Sequence, residues 1–139
     1  MRVVLDTNIL VSALLIQAGH PGAIYRSWQA GHFTLLTCAE QLYELKATLR
    51  KPAIAVRIRP HKAGRLVNQL RELAEVIVTL PTVERSPDPS DDFLLALSEA
   101  GKANYLVTGD KSGLLSLARH KGTRIVSASA FATLAPRRS

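Results

Sequence analysis

Short apolar runs alternate with helical stripes along this chain. Five runs stand out: Arg2 to Leu5, Phe33 to Thr37, Glu75 to Leu80, Asn104 to Thr108 and Arg124 to Ser127. Most are β-branched and apolar on consecutive residues, a pattern that predicts strands covered on both faces. Cys38, Leu42, Leu45 and Leu49 fall on one helical stripe, as do Leu66, Leu70 and Leu73, with Ile77 merging into the next strand. Phe93, Leu94, Leu95 and Leu97 predict a helix opened by Ser90 as N-cap, and Leu114, Leu115, Leu117 and Ala118 predict another over Lys111 to Arg119. Pro52 and Pro60 bracket a turn, while Pro81, Pro87 and Pro89 keep the segment before Ser90 out of a helix. Strands alternating with helices imply right-handed crossovers. The expected fold is therefore a single-domain, three-layer α/β/α structure with a mainly parallel central sheet of about five strands. The 139 residues suit one domain, 1–139, and no linker or repeat divides them.

Composition narrows the class. Hydrophobic residues make up 47% and charged residues 21%, which argues against disorder. The apolar runs are too short to predict a membrane span, and Met1 to Asp6 carries no apolar signal core. The lone Cys38 excludes an internal disulfide and a cysteine-built zinc site, and fits a reducing cytoplasm. His20, His32, His61 and His120 are scattered, with no pair one turn apart. Gly-x-Ser-x-Gly, the P-loop and Gly-x-Gly-x-x-Gly are all missing, which disfavours a serine hydrolase and nucleotide binding through such loops. Gly109 and Gly113 read as turn residues. Eighteen Lys and Arg against 11 Asp and Glu give a net charge of +7, which favours an anionic partner.

With so few acids, their positions carry information. Asp6 ends the first run and Asp110 follows the fourth, so a parallel sheet puts both at its carboxyl edge, where open α/β folds build their sites. Asp91 and Asp92 begin the helix after the third run. Glu44 lies on the helix after the second, off its apolar stripe, with Glu40 one turn earlier an equal candidate. Taken singly, each has a plainer explanation: Asp6 and Asp110 as helix caps, Asp91 and Asp92 as complements to a helix dipole, Glu44 as a solvated side chain. Their joint placement at one edge is what points to chemistry. Carboxylates brought together repel, raising their pKa values unless a cation sits among them. Mg²⁺ or Mn²⁺ suits oxygen donors, and clamped on a phosphodiester it activates a water and neutralises the leaving oxygen.

A basic run complements this. Between Glu44 and Glu72 there is no acid, yet eight of the 18 basic residues fall there. Arg50, Lys51, Arg57, Arg59, Lys62 and Arg65 are the candidates for holding RNA phosphates, the alternative being a merely solvated face. Aromatics are not interleaved with the run; Tyr25 and Trp28 are expected in the core or at a subunit interface.

Four segments then resemble a known family. Val3-Val4-Leu5-Asp6-Thr7-Asn8-Ile9-Leu10 resembles the opening of PIN-domain nucleases. Glu44-Leu45 with Thr48-Leu49-Arg50-Lys51-Pro52 resembles their second acidic segment, Asp88-Pro89-Ser90-Asp91-Asp92 with Leu95-Ala96 the third, and Tyr105-Leu106-Val107-Thr108-Gly109-Asp110-Lys111 the fourth. The resemblance runs from Arg2 to about Phe131 and is greatest to prokaryotic toxin components of toxin–antitoxin pairs, similar to VapC-type toxins. It implies a metal-dependent endoribonuclease of the cytoplasm, with an RNA substrate, a cognate antitoxin protein covering the acidic mouth, and homodimerisation. It further implies Asp6, Glu44, Asp92 and Asp110 as catalytic acids, with Asp6, Asp92 and Asp110 on Mg²⁺ or Mn²⁺. Asp92 is preferred to Asp91 because Leu95 and Ala96 then match the family's apolar positions. Asn8, Thr108, Asp91 and Ser112 would stand behind the ligands. Many relatives carry an acid where this chain has Ser112, so a one-metal or substrate-completed site is implied.

Other classes fit less well. An aspartyl-phosphate phosphatase wants an Asp where Asn8 stands. A receiver domain wants adjacent acids after the first strand and a Lys after the last. A catalytically silent PIN-like RNA-binding module is the alternative that Ser112 keeps open.

Overall fold

The computed structural model describes residues 1–110 and 112–134, so Lys111, at the start of one predicted helix, lies outside the described residues. Strands β1 (Arg2–Leu5), β2 (Thr34–Thr37), β3 (Glu75–Val76), β4 (Tyr105–Val107), β5 (Arg119–His120) and β6 (Thr123–Val126) form one sheet in the order β3-β2-β1-β4-β6-β5. Every pairing is parallel except the β5–β6 hairpin. The helices are α1 (Thr7–Leu15), α2 (His20–Gln29), α3 (Ala39–Leu49), α4 (Pro52–Ala55), α5 (Pro60–Leu73), α6 (Asp92–Ala100) and α7 (Ala128–Leu134).

The consecutive apolar residues of the strands serve two cores, because successive side chains leave a strand on opposite faces. Val3, Leu5, Leu35, Val107 and Val126 pack with Leu10, Trp28, Leu45, Leu66, Leu70 and Phe131, under α1, α2, α3, α5 and α7. Val4, Leu36, Leu106 and Ile125 pack with Leu94, Leu95, Leu97 and Leu114 on the other face. The result is the expected three-layer α/β/α arrangement. Each fully buried leucine contributes about 1.5–3 kcal/mol of transfer free energy. Trp28 belongs to this core, and Tyr25 is half-buried beside it.

Several element boundaries differ from expectation. The third run pairs only over Glu75–Val76, with the Ile77 amide reaching Thr37 O at 2.8 Å. Lying at the sheet edge, it leaves Val78 90% exposed. Phe33 precedes β2 and packs edge-on to Phe131. Ser90 is not the N-cap: Asp88 caps a 3₁₀ turn, Pro89–Asp91, by accepting the Ser90 amide and hydroxyl at 3.0 and 2.9 Å, and α6 follows that turn. The last leucines form a 3₁₀ turn, Leu114–Leu117, and Arg119 opens β5 instead of closing a helix. With its four main strands parallel, the sheet sends the chain out at one edge directly into Asp6, Cys38 and Thr108.

Candidate metal centre

Asp6 is the N-cap of α1. Its Oδ1 accepts the Asn8 amide at 3.2 Å, so Asn8 orients Asp6 through its backbone while its side chain is exposed. The capping role therefore holds, but it uses only one oxygen. Oδ2 accepts from Thr108 Oγ1 at 2.8 Å, and Asp6 is only 5% exposed. The same Thr108 hydroxyl accepts the Asp110 amide at 3.3 Å. One buried hydroxyl at the end of β4 thus ties the acid after β1 to the acid after β4. Thr7 Oγ1, next along the chain, is buried with no hydrogen-bond partner among the described residues.

Asp110 is held from its far side. Its Oδ1 accepts the Gly113 amide at 3.0 Å and the Ser112 hydroxyl at 3.4 Å. A Cβ at position 113 would lie 2.0 Å from Asp110 Oδ2, so the carboxylate occupies space that any residue but glycine would fill. Across the sheet, Gln41 of α3 is buried. It donates to Leu5 O and accepts from Thr37 Oγ1, both at 2.6 Å, locking the first turn of α3 to the ends of β1 and β2. Glu44, three residues on, shares that helical face.

The adjacent pair Asp91 and Asp92 divides. Asp92 Oδ1 accepts the Arg85 and Ser86 amides at 3.0 and 2.7 Å, which ties that oxygen to the loop before the 3₁₀ turn. Asp91 is the one that faces the other acids. Burial first, then the negative charges of Asp6, Asp88, Glu44 and Asp110, push its carboxyl up to about 6. Burial also raises Asp6, with Asp110 adding to it and Thr108 and the Asn8 amide opposing. The charges of Asp6, Glu44 and Asp110 are thus felt at Asp91, while one oxygen of Asp92 is already engaged by loop amides. Leu95 and Ala96 are buried in α6 as that phase expects, but the phase within α6 does not say where the Asp92 carboxylate bonds, and the 3₁₀ turn before it carries Asp91 outside the helical register.

Among the described residues no three acidic, His or Cys side chains close into a ready-made ligand shell. The donors nonetheless fit a hard divalent cation: they are oxygens, they carry charge that destabilises the cation-free fold, and Gly113 leaves room for the Asp110 carboxylate. A pH dependence follows. Asp91 has its folded pKa raised, so the stability linked to it is complete below the unfolded value near 4 and is lost as pH rises through about 6. A cation reverses that loss. The Tm gain from Mn²⁺ is expected to be small at about pH 4 and to grow through about pH 6, measured by thermal unfolding with and without metal. A gain that is flat with pH would remove Asp91 from the centre.

Three of the six basic candidates border grooves and three lie on exposed turns. Arg50 borders one of about 430 Å³ with Leu49, Ile58 and Val67. Lys62 and Arg65 border another between α1, α2 and α5. Lys51, Arg57 and Arg59 are exposed on the turns flanking α4. Among the described residues none of the six forms an ion pair. No helix among the described residues is long and apolar enough to cross a membrane.

Comparison with known proteins agrees with the fold. None of the curated proteins matches the chain by sequence. Among solved structures, a chain of VapBC2 from Rickettsia felis, determined bound to a DNA fragment from their promoter, superposes with a TM-score of 0.56. The two are 16% identical, and the match covers 91% of this chain and 98% of that one. A family model described as PIN domain matches residues 2–112, from β1 through the Asp110 turn. With the sheet, the acidic edge and this match in agreement, the chain belongs to the PIN-domain family.

Proposed function

We propose that the protein is a divalent-metal-dependent endoribonuclease and the toxin component of a toxin–antitoxin pair. PIN domains are generally nucleases, which supports the reading at the level of the family. The observation that carries it here is the junction at Thr108, where one hydroxyl joins two acids from opposite ends of the sequence at the carboxyl edge of the sheet. Asp6, Asp91 and Asp110 would hold Mg²⁺ or Mn²⁺, with Glu44 beside them; Asp92 fixes the loop that presents Asp91. When bound, such a cation supplies an activated water and neutralises charge on the phosphate. The residues themselves orient the acids: Thr108 and the Asn8 amide fix Asp6, and Gly113 and Ser112 fix Asp110. Basic residues along α4 and α5 would hold the RNA backbone and confer salt-dependent, largely sequence-blind affinity. A cognate antitoxin covering the acidic mouth, a homodimer and a cytoplasmic location complete the proposal.

The test is incubation of the protein with single-stranded RNA in Mn²⁺ or Mg²⁺, with and without chelator. Metal-dependent internal cleavage supports the reading, and binding without cleavage under either metal favours the silent RNA-binding module. The division of Asp91 and Asp92 is testable in the same assay. Asp91→Asn is expected to lower cleavage about ten- to a hundredfold without loss of Tm. Asp92→Ala is expected to lower Tm, since two loop amides lose their acceptor. Equal cleavage loss in both, with Tm unchanged, would restore Asp92 to the site.

A further inference from the structure

Resting on the RNA reading above, we infer that the groove between α1, α2 and α5 is a binding pocket for one nucleotide unit of an RNA strand. Its volume is about 310 Å³, larger than a lone phosphate needs and within the range of small-ligand pockets. Three cations from two helices converge on it: Arg26 of α2, and Lys62 and Arg65 of α5. Among the described residues no carboxylate lies within ion-pair distance of any of them, so their charge is left for something brought from outside.

The pocket is also preformed. Arg26 Nη1 donates to Gln17 O at 2.8 Å, which fixes the guanidinium, and among the described residues its other N–H groups have no partner and can meet phosphate. Gly22 makes that carbonyl accessible: a Cβ there would lie 2.3 Å from Gln17 O. Gln69 accepts from the Tyr25 hydroxyl and, at 3.3 Å, from Gln29 Nε2, holding both side chains at the wall. Ala13, Leu14 and the Tyr25 ring give an apolar surface on which a sugar or base can lie, and Gln17 and Gln29 add polar groups at its rim. Helix α1 connects this pocket to the acidic edge. Ala13 is seven residues beyond Asp6, about 10 Å at helical rise, so one strand can engage both places. A run of basic residues read as a general polyanion surface therefore contains a discrete site, and Arg26, outside that run, is part of it.

The experiment measures binding of a fluorescent single-stranded RNA oligonucleotide by anisotropy, in chelator, over a range of salt. Arg26→Ala/Arg65→Ala is expected to weaken binding about ten- to a hundredfold and to flatten the dependence of log K on log salt by about one to two contacts. Arg71→Ala/Arg119→Ala, which removes two exposed charges elsewhere, should weaken it several-fold less. Arg65→Glu, one solvent-exposed change, repeats the test should the double variant fold poorly. Equal losses in the two double variants, or no loss in the pocket variants, would overturn the pocket. Competition by a mononucleotide that is as strong per molecule as by the oligonucleotide would also overturn it, by showing a free-nucleotide site. Because binding is read without metal, an absence of cleavage in Mn²⁺ would count against the nuclease reading alone.

Discussion

Asp6→Asn is expected to lower Mn²⁺-dependent RNA cleavage by about 10³-fold or more, since a metal clamp contributes several kcal/mol to phosphoryl chemistry. The same change should leave Tm unchanged or raise it when no metal is present. Asparagine keeps the oxygen that accepts the Asn8 amide, so the cap of α1 survives. It removes a buried charge whose pKa is raised by burial and by Asp110, and which is therefore a net cost to the metal-free fold at neutral pH. A purely capping Asp6 would give a different pattern, with activity retained. RNA cleavage and thermal unfolding of the two proteins, measured side by side, separate the cases. Retained cleavage would remove Asp6 from the site.

Gly113→Ala is expected to reduce metal affinity and cleavage about ten- to a hundredfold, comparable with the loss of a group that orients a ligand. The new methyl would stand 2.0 Å from Asp110 Oδ2. What must move is the end of a short side chain, so the fold survives and the carboxylate is expelled. Tm without metal is expected to fall modestly, because the displaced Asp110 carboxylate loses the Gly113 amide and Ser112 hydroxyl. Ser112→Ala, which removes only a 3.4 Å contact, should have a much smaller effect. Normal metal affinity in Gly113→Ala would mean that the Asp110 position is not needed for binding.

The layers and the parallel sheet were legible because strands covered on both faces show it as consecutive apolar residues, and Val3-Val4-Leu5 and Leu106-Val107 do so. The hairpin strand β5 was not, since Arg119–His120 is two residues long and carries no apolar run. His120 is buried there for another reason: its Nε2 meets Glu99 at 2.9 Å and its Nδ1 meets Arg85 at 3.1 Å, a long-range network that no local pattern encodes. At the site, the acids after β1 and β4 followed from strand ends alone. Choosing between Asp91 and Asp92 did not, because it turns on the Arg85 and Ser86 amides that Asp92 accepts, bonds from a preceding loop that no helical periodicity encodes. Gln41 was overlooked as an ordinary polar helix residue. Its signal was positional: a buried amide one turn before Glu44, on the stripe that meets the sheet edge. Gly113 carried a weak signal in its spacing of three from Asp110, read only as a turn.

The acids of this edge are proposed to form one pocket that the folded chain tolerates best with a divalent cation among them. Calorimetric titration of Mn²⁺ into the metal-free protein near neutral pH tests this most directly. Saturable binding, abolished in Asp6→Asn and weakened in Gly113→Ala, is the expected result. Absence of saturable binding, or equal binding by wild type and Asp6→Asn, would contradict it.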